Sequence, residues 1–235
     1  MSPLAFHVPG DPGLVHAATL YPAGGQAPAG ALLVLAHGAG AGQASPFMMR
    51  YAAGLAARGL DIVTFNFPYM EGRRKAPDRP PVLEDAFRRA VVGAAGHRMA
   101  RGRRVFIGGK SMGGRIATHL AAAPELWPGE APPLAGVVAF GYPLVPPGGR
   151  GRDRTSHLAR IAAPLLVVQG TRDTFGGPDA VEAALPPPAD RLAPMTVLRV
   201  EGGDHSFKVL KSSGRTEAEV DGAIWDAVAA WVAGT

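Results

Sequence analysis

Residues 105–115 read VFIGGKSMGGR, an apolar run that ends in a knot of glycines around one lysine and one serine. Two chemistries use such a knot. A P-loop needs a glycine five positions ahead of its second glycine, so that a wide loop of backbone N–H groups can cradle phosphate. Counted back from Gly109 that position is Arg104, and 105–108 reads as strand rather than loop. The P-loop reading fails. The pattern G-x-S-x-G instead puts a serine on a sharp strand-to-helix turn, which brings the backbones two before and two after it together and so demands small residues there. Gly109 and Gly113 meet that demand, and Gly114 adds room for the helix against the strand. A strand at 103–108 and a helix at 113–123 supply the context, and Ser111 becomes the candidate nucleophile.

Working outward, short apolar runs alternate with longer amphipathic ones. ALLVLA (31–36), LDIVTFNF (60–67), RRVFIG (103–108), LAGVVAFG (134–141), PLLVVQG (164–170) and MTVLRV (195–200) read as strands. Helices are expected at 45–59, with Ser45 as N-cap and Pro46 at the first helical position, and at about 83–101. A C-terminal helix at 216–233 opens with a capping box from Thr216 to Glu219. Before residue 31, LAFHV and LVHAATLY suggest an antiparallel hairpin at the sheet edge. Strands alternating with helices predict one α/β domain over 1–235, a mostly parallel sheet with helices on both faces. Ligands then bind beyond the carboxyl ends of the strands.

A lone serine is a poor nucleophile, so a base and an orienting acid should follow it in the order Ser, Asp, His. Of seven histidines only His205, in EGGDHSF, lies beyond all the strands. His119 falls within a helix, His157 precedes a strand, and His7, His16 and His97 lie far upstream. Asp173 follows the buried strand PLLVVQG, whereas Glu182 and Asp190 lie on or after the next helix. Asp204 is adjacent to His205 and badly placed to hold the far ring nitrogen. Ser111, Asp173 and His205 are therefore the expected catalytic set.

A tetrahedral intermediate also needs two N–H donors. The Met112 backbone supplies one, and Ala39 in the loop HGAGAG (37–42) is the expected second, with His37 shaping that loop. The same loop invites a dinucleotide reading, but the third glycine of G-x-G-x-x-G falls on Gln43 and the next strand ends in Asn66, not an acid. No HExxH, EF-hand or zinc cluster is present in the sequence, so neither cofactor nor metal is expected.

Composition bounds the rest. The 235 residues are 47% hydrophobic and 18% charged, enough for one sizeable core. Thirty-two glycines and 23 prolines are spread as turn punctuation. The absence of cysteine excludes disulfides and thiolate metal sites. Net charge is +5, with basic clusters at Arg73, Arg74 and Lys75, at Arg101, Arg103 and Arg104, and at Arg150, Arg152 and Arg154. Without aromatic interleaving or a nucleic-acid motif these read as a solvated surface, and no nucleic-acid or membrane partner is expected. The loop 72–79 follows a strand on the nucleophile's edge, which raises the alternative that Arg73 or Arg74 meets an anionic substrate tail. Neither a leader nor an apolar run near the ~18 residues of a membrane span is read, so a cytoplasmic protein is expected.

The ordered set HGAGA, FNFPY, GGKSMGGR, GYPL, QGTRDTFG and GDHSF resembles the α/β-hydrolase superfamily. More narrowly it is similar to a small dienelactone-hydrolase-like group related to the hydrolase-like domain of an NSL acetyltransferase complex subunit. The resemblance covers nearly the whole chain. It implies an α/β-hydrolase fold and, by motif position, Ser111, Asp173 and His205 as a triad. Dienelactone hydrolases proper use cysteine, which this chain lacks, so their substrate is not implied. The expectation is a serine hydrolase acting on a small ester, thioester or amide; the alternative is a non-catalytic interaction module on the same fold. The segment 142–163 is too short for a helical lid, and a shallow site flanked by Tyr69, Met112, Tyr142, Phe175 and Phe207 is expected.

Overall fold

The computed structural model describes residues 2–9, 15–24, 29–145 and 154–235. Eight strands form one sheet: β1 (Leu4–Pro9), β2 (Val15–Tyr21), β3 (Ala31–Ala36), β4 (Asp61–Phe65), β5 (Arg104–Lys110), β6 (Leu134–Phe140), β7 (Leu165–Gly170) and β8 (Met195–Val200). Their order across the sheet is β1-β2-β4-β3-β5-β6-β7-β8. The expected N-terminal hairpin is present: β1 and β2 pair antiparallel, and β2 joins β4 antiparallel at the edge. All other pairings are parallel.

Parallel strands covered on both faces need apolar side chains in both directions. Every residue of β3 is buried, and its side chains alternate between two cores. Leu32, Val34 and Ala36 pack with residues of α3 (Pro80–Gly96) and α4 (Met112–Ala121). Leu33 and Leu35 pack on the other face, with α1 (Pro46–Ala56) and α6 (Glu217–Gly234). Two shorter helices complete the set among the described residues, α2 (Pro68–Glu71) and α5 (Pro178–Ala184).

The element boundaries differ from expectation in instructive ways. β5 runs on through Lys110 and α4 begins at Met112, so the connection is the single residue Ser111. α3 starts at Pro80 rather than at 83 and ends at Gly96, because proline, lacking an N–H, is at home in a first helical turn. Pro46 does open α1, but the Ser45 side chain makes no capping hydrogen bond. The Thr216–Glu219 capping box is formed in both directions. Within the segment expected to be too short for a lid, Pro146, Pro147, Gly148, Gly149, Arg150, Gly151 and Arg152 lie outside the described residues. Among the described residues, no helix is long and apolar enough to cross a membrane.

Candidate active site

The one-residue connection is possible because the residues two before and two after it are glycines, where a side chain would not fit. A Cβ on Gly109 would stand 2.4 Å from the Gly113 carbonyl carbon, and one on Gly113 would stand 2.4 Å from the Ala36 carbonyl oxygen. Ser111 itself takes φ 52°, ψ −113°, a conformation that costs roughly 1–3 kcal/mol for a residue with a side chain. Its backbone is held on both sides: its N–H donates to the Phe140 carbonyl at 2.9 Å, and its carbonyl accepts from the Arg115 N–H at 3.0 Å. The serine is thereby fixed at the carboxyl end of β5, half-buried at the wall of a cleft.

β7 and β8 deliver two further side chains to the same edge. His205 Nε2 lies 3.0 Å from Ser111 Oγ, and its Nδ1 lies 2.8 Å from Asp173 Oδ2. Asp173 is an acceptor-only carboxylate with a fully buried side chain, so the ring proton sits on Nδ1. Nε2 is then the lone pair that faces the serine hydroxyl. Asp173 is held in turn by Gln169 Nε2 at 2.9 Å and by the Phe175 N–H at 2.8 Å. Gln169 is fully buried and ties this corner together, accepting from the Tyr142 N–H at 2.7 Å and donating to the Gly176 carbonyl at 2.6 Å. Asp204, adjacent to the histidine, has a different task. Its Oδ1 accepts from the Ser206 and Lys208 N–H groups at 2.7 and 3.0 Å, folding the loop that presents His205.

Lys110 was missed by sequence reading, where it is merely the x of G-x-S-x-G. It is buried beside Ser111, and its Nζ donates to the His205 carbonyl. Its ammonium also lies 5.5 Å from the Phe47 ring centroid and 5.7 Å from that of Phe207. Burial pulls its pKa down to about 8, against the opposing attraction of Asp173 and Asp204. Gln169 carried a weak signal, an amide inside an otherwise apolar strand.

Ala39 and Met112 line the cleft together with Ser111. Neither backbone N–H donates to an acceptor among the described residues, and Met112, as the first residue of α4, has a free N–H by helix geometry. His37 shapes the loop that carries Ala39. Its Nδ1 donates to the Gly38 carbonyl at 2.8 Å, and its Nε2 accepts from the Phe67 N–H at 3.1 Å. The ring is fully buried and neutral, its pKa lowered to about 4 by desolvation despite the Gly38 hydrogen bond and the charge of Glu71.

The cleft has a volume of about 600 Å³. Of the aromatic residues expected to flank it, Phe175 does, with its ring 4.6 Å from that of His205. Tyr69, Tyr142 and Phe207 do not line it. They are buried in the core instead: Tyr69 and Tyr142 pack on one side of the sheet and Phe207 on the other. Met112 lines the cleft as expected, and further apolar walls come from Phe47, Met48 and Leu83. Arg73 and Arg74 also stay out: both are exposed, and Arg74 grips Asp78 at 2.6 and 3.0 Å. Arg115 and Arg154 stand in the cleft wall in their place. Among the described residues no group of three or more His, Asp or Glu could hold a metal ion.

Residues 29–233 match the family model described as the alpha/beta hydrolase domain. Among solved structures, the chain is similar to a dienelactone hydrolase from Anabaena variabilis, with 20% identity, a TM-score of 0.71, and 98% of this chain and 96% of that one covered. It is also similar to a serine hydrolase without lid from Xanthomonas campestris, at 18% identity, TM-score 0.68 and coverage of 98% and 95%. A third likeness is to Est1E from Butyrivibrio proteoclasticus, solved with ferulic acid, at 14% identity, TM-score 0.70 and 97% coverage of each chain. At such identities the likenesses carry the fold, and the family follows from the model that matches most of the sequence. The chain belongs to the alpha/beta hydrolase family.

Proposed function

We propose that the protein is a serine hydrolase that cleaves a small carboxylic ester through an acyl-enzyme. The observation that carries this reading is the unbroken relay from Asp173 through His205 to Ser111, with contacts of 2.8 and 3.0 Å. Ser111 Oγ attacks the carbonyl carbon while His205 Nε2 takes its proton. Asp173 keeps the other ring proton on Nδ1 and stabilises the imidazolium. The N–H groups of Ala39 and Met112 receive the developing oxyanion. Collapse expels the alcohol, which leaves with the proton from His205. Water then attacks the acyl group by the same path and regenerates the serine. A thioester or an amide would follow the same course.

Labelling with a fluorophosphonate, read by intact mass and peptide mapping, tests the reading. The expected outcome is a single adduct on Ser111, and its absence in Ser111→Ala. Turnover of p-nitrophenyl acetate should fall by a factor on the order of 10⁶ in that variant if the three side chains act as a unit. A labelled serine elsewhere, or unchanged turnover in Ser111→Ala, would remove the assignment.

A further inference from the structure

Two guanidinium groups in the cleft wall have no part in the steps above. Arg115 lies on α4 one turn beyond Ser111, and Arg154 lies ahead of β7 in the chain. Arg115 Nη1 lies 3.1 Å from His119 Nε2, while His119 Nδ1 lies 2.9 Å from Glu84 Oε1. The carboxylate holds the imidazole proton on Nδ1, so it is a neutral nitrogen, not an anion, that orients Arg115. Arg154 Nη1 donates to the Pro143 carbonyl at 2.8 Å, again a neutral acceptor. Neither arginine has a carboxylate partner among the described residues. Among the described residues Asp78 is the one carboxylate on the cleft wall, and it is engaged by Arg74. Burial, and then the charge of Arg115, lower the pKa of Arg154.

Two like charges close enough to repel, set among apolar walls with only neutral acceptors, make an electrostatic arrangement that an anion completes. A guanidinium is a rigid fork of N–H donors matched to a carboxylate. We propose that the cleft binds an ester bearing a carboxylate at its far end, which Arg115 and Arg154 hold while Ser111 meets the ester carbonyl. The reacting bond rests on the serine-hydrolase reading, whereas the anion site does not depend on it.

Two matched pairs of esters decide the matter. In one the acid sits on the acyl side (p-nitrophenyl hydrogen glutarate against its methyl ester), and in the other on the leaving group (4-acetoxybenzoate against its methyl ester). In one of these pairs kcat/KM should favour the acid. Arg115→Gln and Arg154→Gln should each lower that preference on the order of tenfold or more, the scale of a charge-assisted hydrogen bond. Arg115→Lys should restore part of it, and Arg73→Gln, away from the cleft, should leave it intact. No preference in either pair, or a preference that survives both glutamine variants, overturns the proposal. Calorimetric titration of Ser111→Ala with monomethyl glutarate and with benzoate separates this from the failure of the hydrolase reading. Binding lost on adding Arg115→Gln supports the anion site even if no ester is turned over, and absence of binding by both anions at millimolar concentration sinks it.

Discussion

Each of the three side chains in the relay sits at the end of a strand, and that is why they were legible. A glycine-flanked serine after a buried run, an aspartate after the next such run but one, and a histidine after the last strand are positions that chain order alone marks out. Their supports were not legible, because a support is defined by what it touches across the fold. Lys110 is one such residue. Its ammonium, with a pKa of about 8, is charged below that pH and grips the His205 carbonyl. Above it the amine is neutral, and the hydrogen bond drops to roughly half its strength. We therefore expect kcat/KM to decline on the alkaline side of about pH 8 in the wild type. Lys110→Met should have a lower plateau without that limb, and superimposable alkaline limbs would show that the lysine does not position the histidine. The acid is tested separately. Asp173→Asn should depress kcat by up to ~10⁴, because an amide leaves His205 in the wrong tautomer. Asp204→Asn retains the Oδ1 that accepts from Ser206 and Lys208, and should stay within a few-fold of wild type. The reverse ranking would mean that the acid is misassigned.

At the scale of elements, the parallel core, the edge hairpin and the capped C-terminal helix all followed from periodicity and caps. α2 did not, since four residues carry no period. The aromatic residues misplaced into the cleft show the other limit: alternation says which face a strand residue takes, but not how a loop turns after the strand ends. The loop between β3 and α1 depends on one neutral imidazole, and that has a consequence for acid stability. The folded-state pKa of His37, about 4, lies below the ordinary histidine value of 6.5. The unfolded chain therefore binds more protons between these limits, and stability rises with pH there. The contribution of the neutral ring is fully present above pH 6.5 and is lost as pH drops towards 4, amounting to roughly 3 kcal/mol. His37→Gln should start lower in stability and show a flatter slope over that window in urea titrations at successive pH values. Parallel slopes for the two proteins would assign the acid sensitivity elsewhere. At the other end of the chain, Thr216→Ala removes the capping box of α6 and should cost ~1 kcal/mol in the same assay.

Across the whole molecule, the sheet order gathers the ends of β3, β5, β7 and β8 at one edge, so the loop of Ala39, the elbow of Ser111, Asp173 and His205 converge although they are far apart in sequence. What that edge can accommodate is set by the cleft, not by the relay. Its apolar lining, from Phe47, Met48, Leu83 and Met112, is interrupted by Arg115, Arg154 and Asp78. A methylene that leaves water for the apolar wall gains ~0.8 kcal/mol. One laid against a guanidinium or returned to solvent gains nothing and displaces water that the charge prefers. An acyl chain should thus profit from its first few carbons and then lose. For unbranched p-nitrophenyl esters from acetate to palmitate, kcat/KM is expected to peak at a short acyl chain and to fall through the long ones. The rise should appear mainly in KM, because binding to the wall is made equally in the ground and transition states. A maximum at dodecanoate or beyond would require an apolar channel past the two arginines, and would count against both the short-acyl reading and the charged end of the cleft.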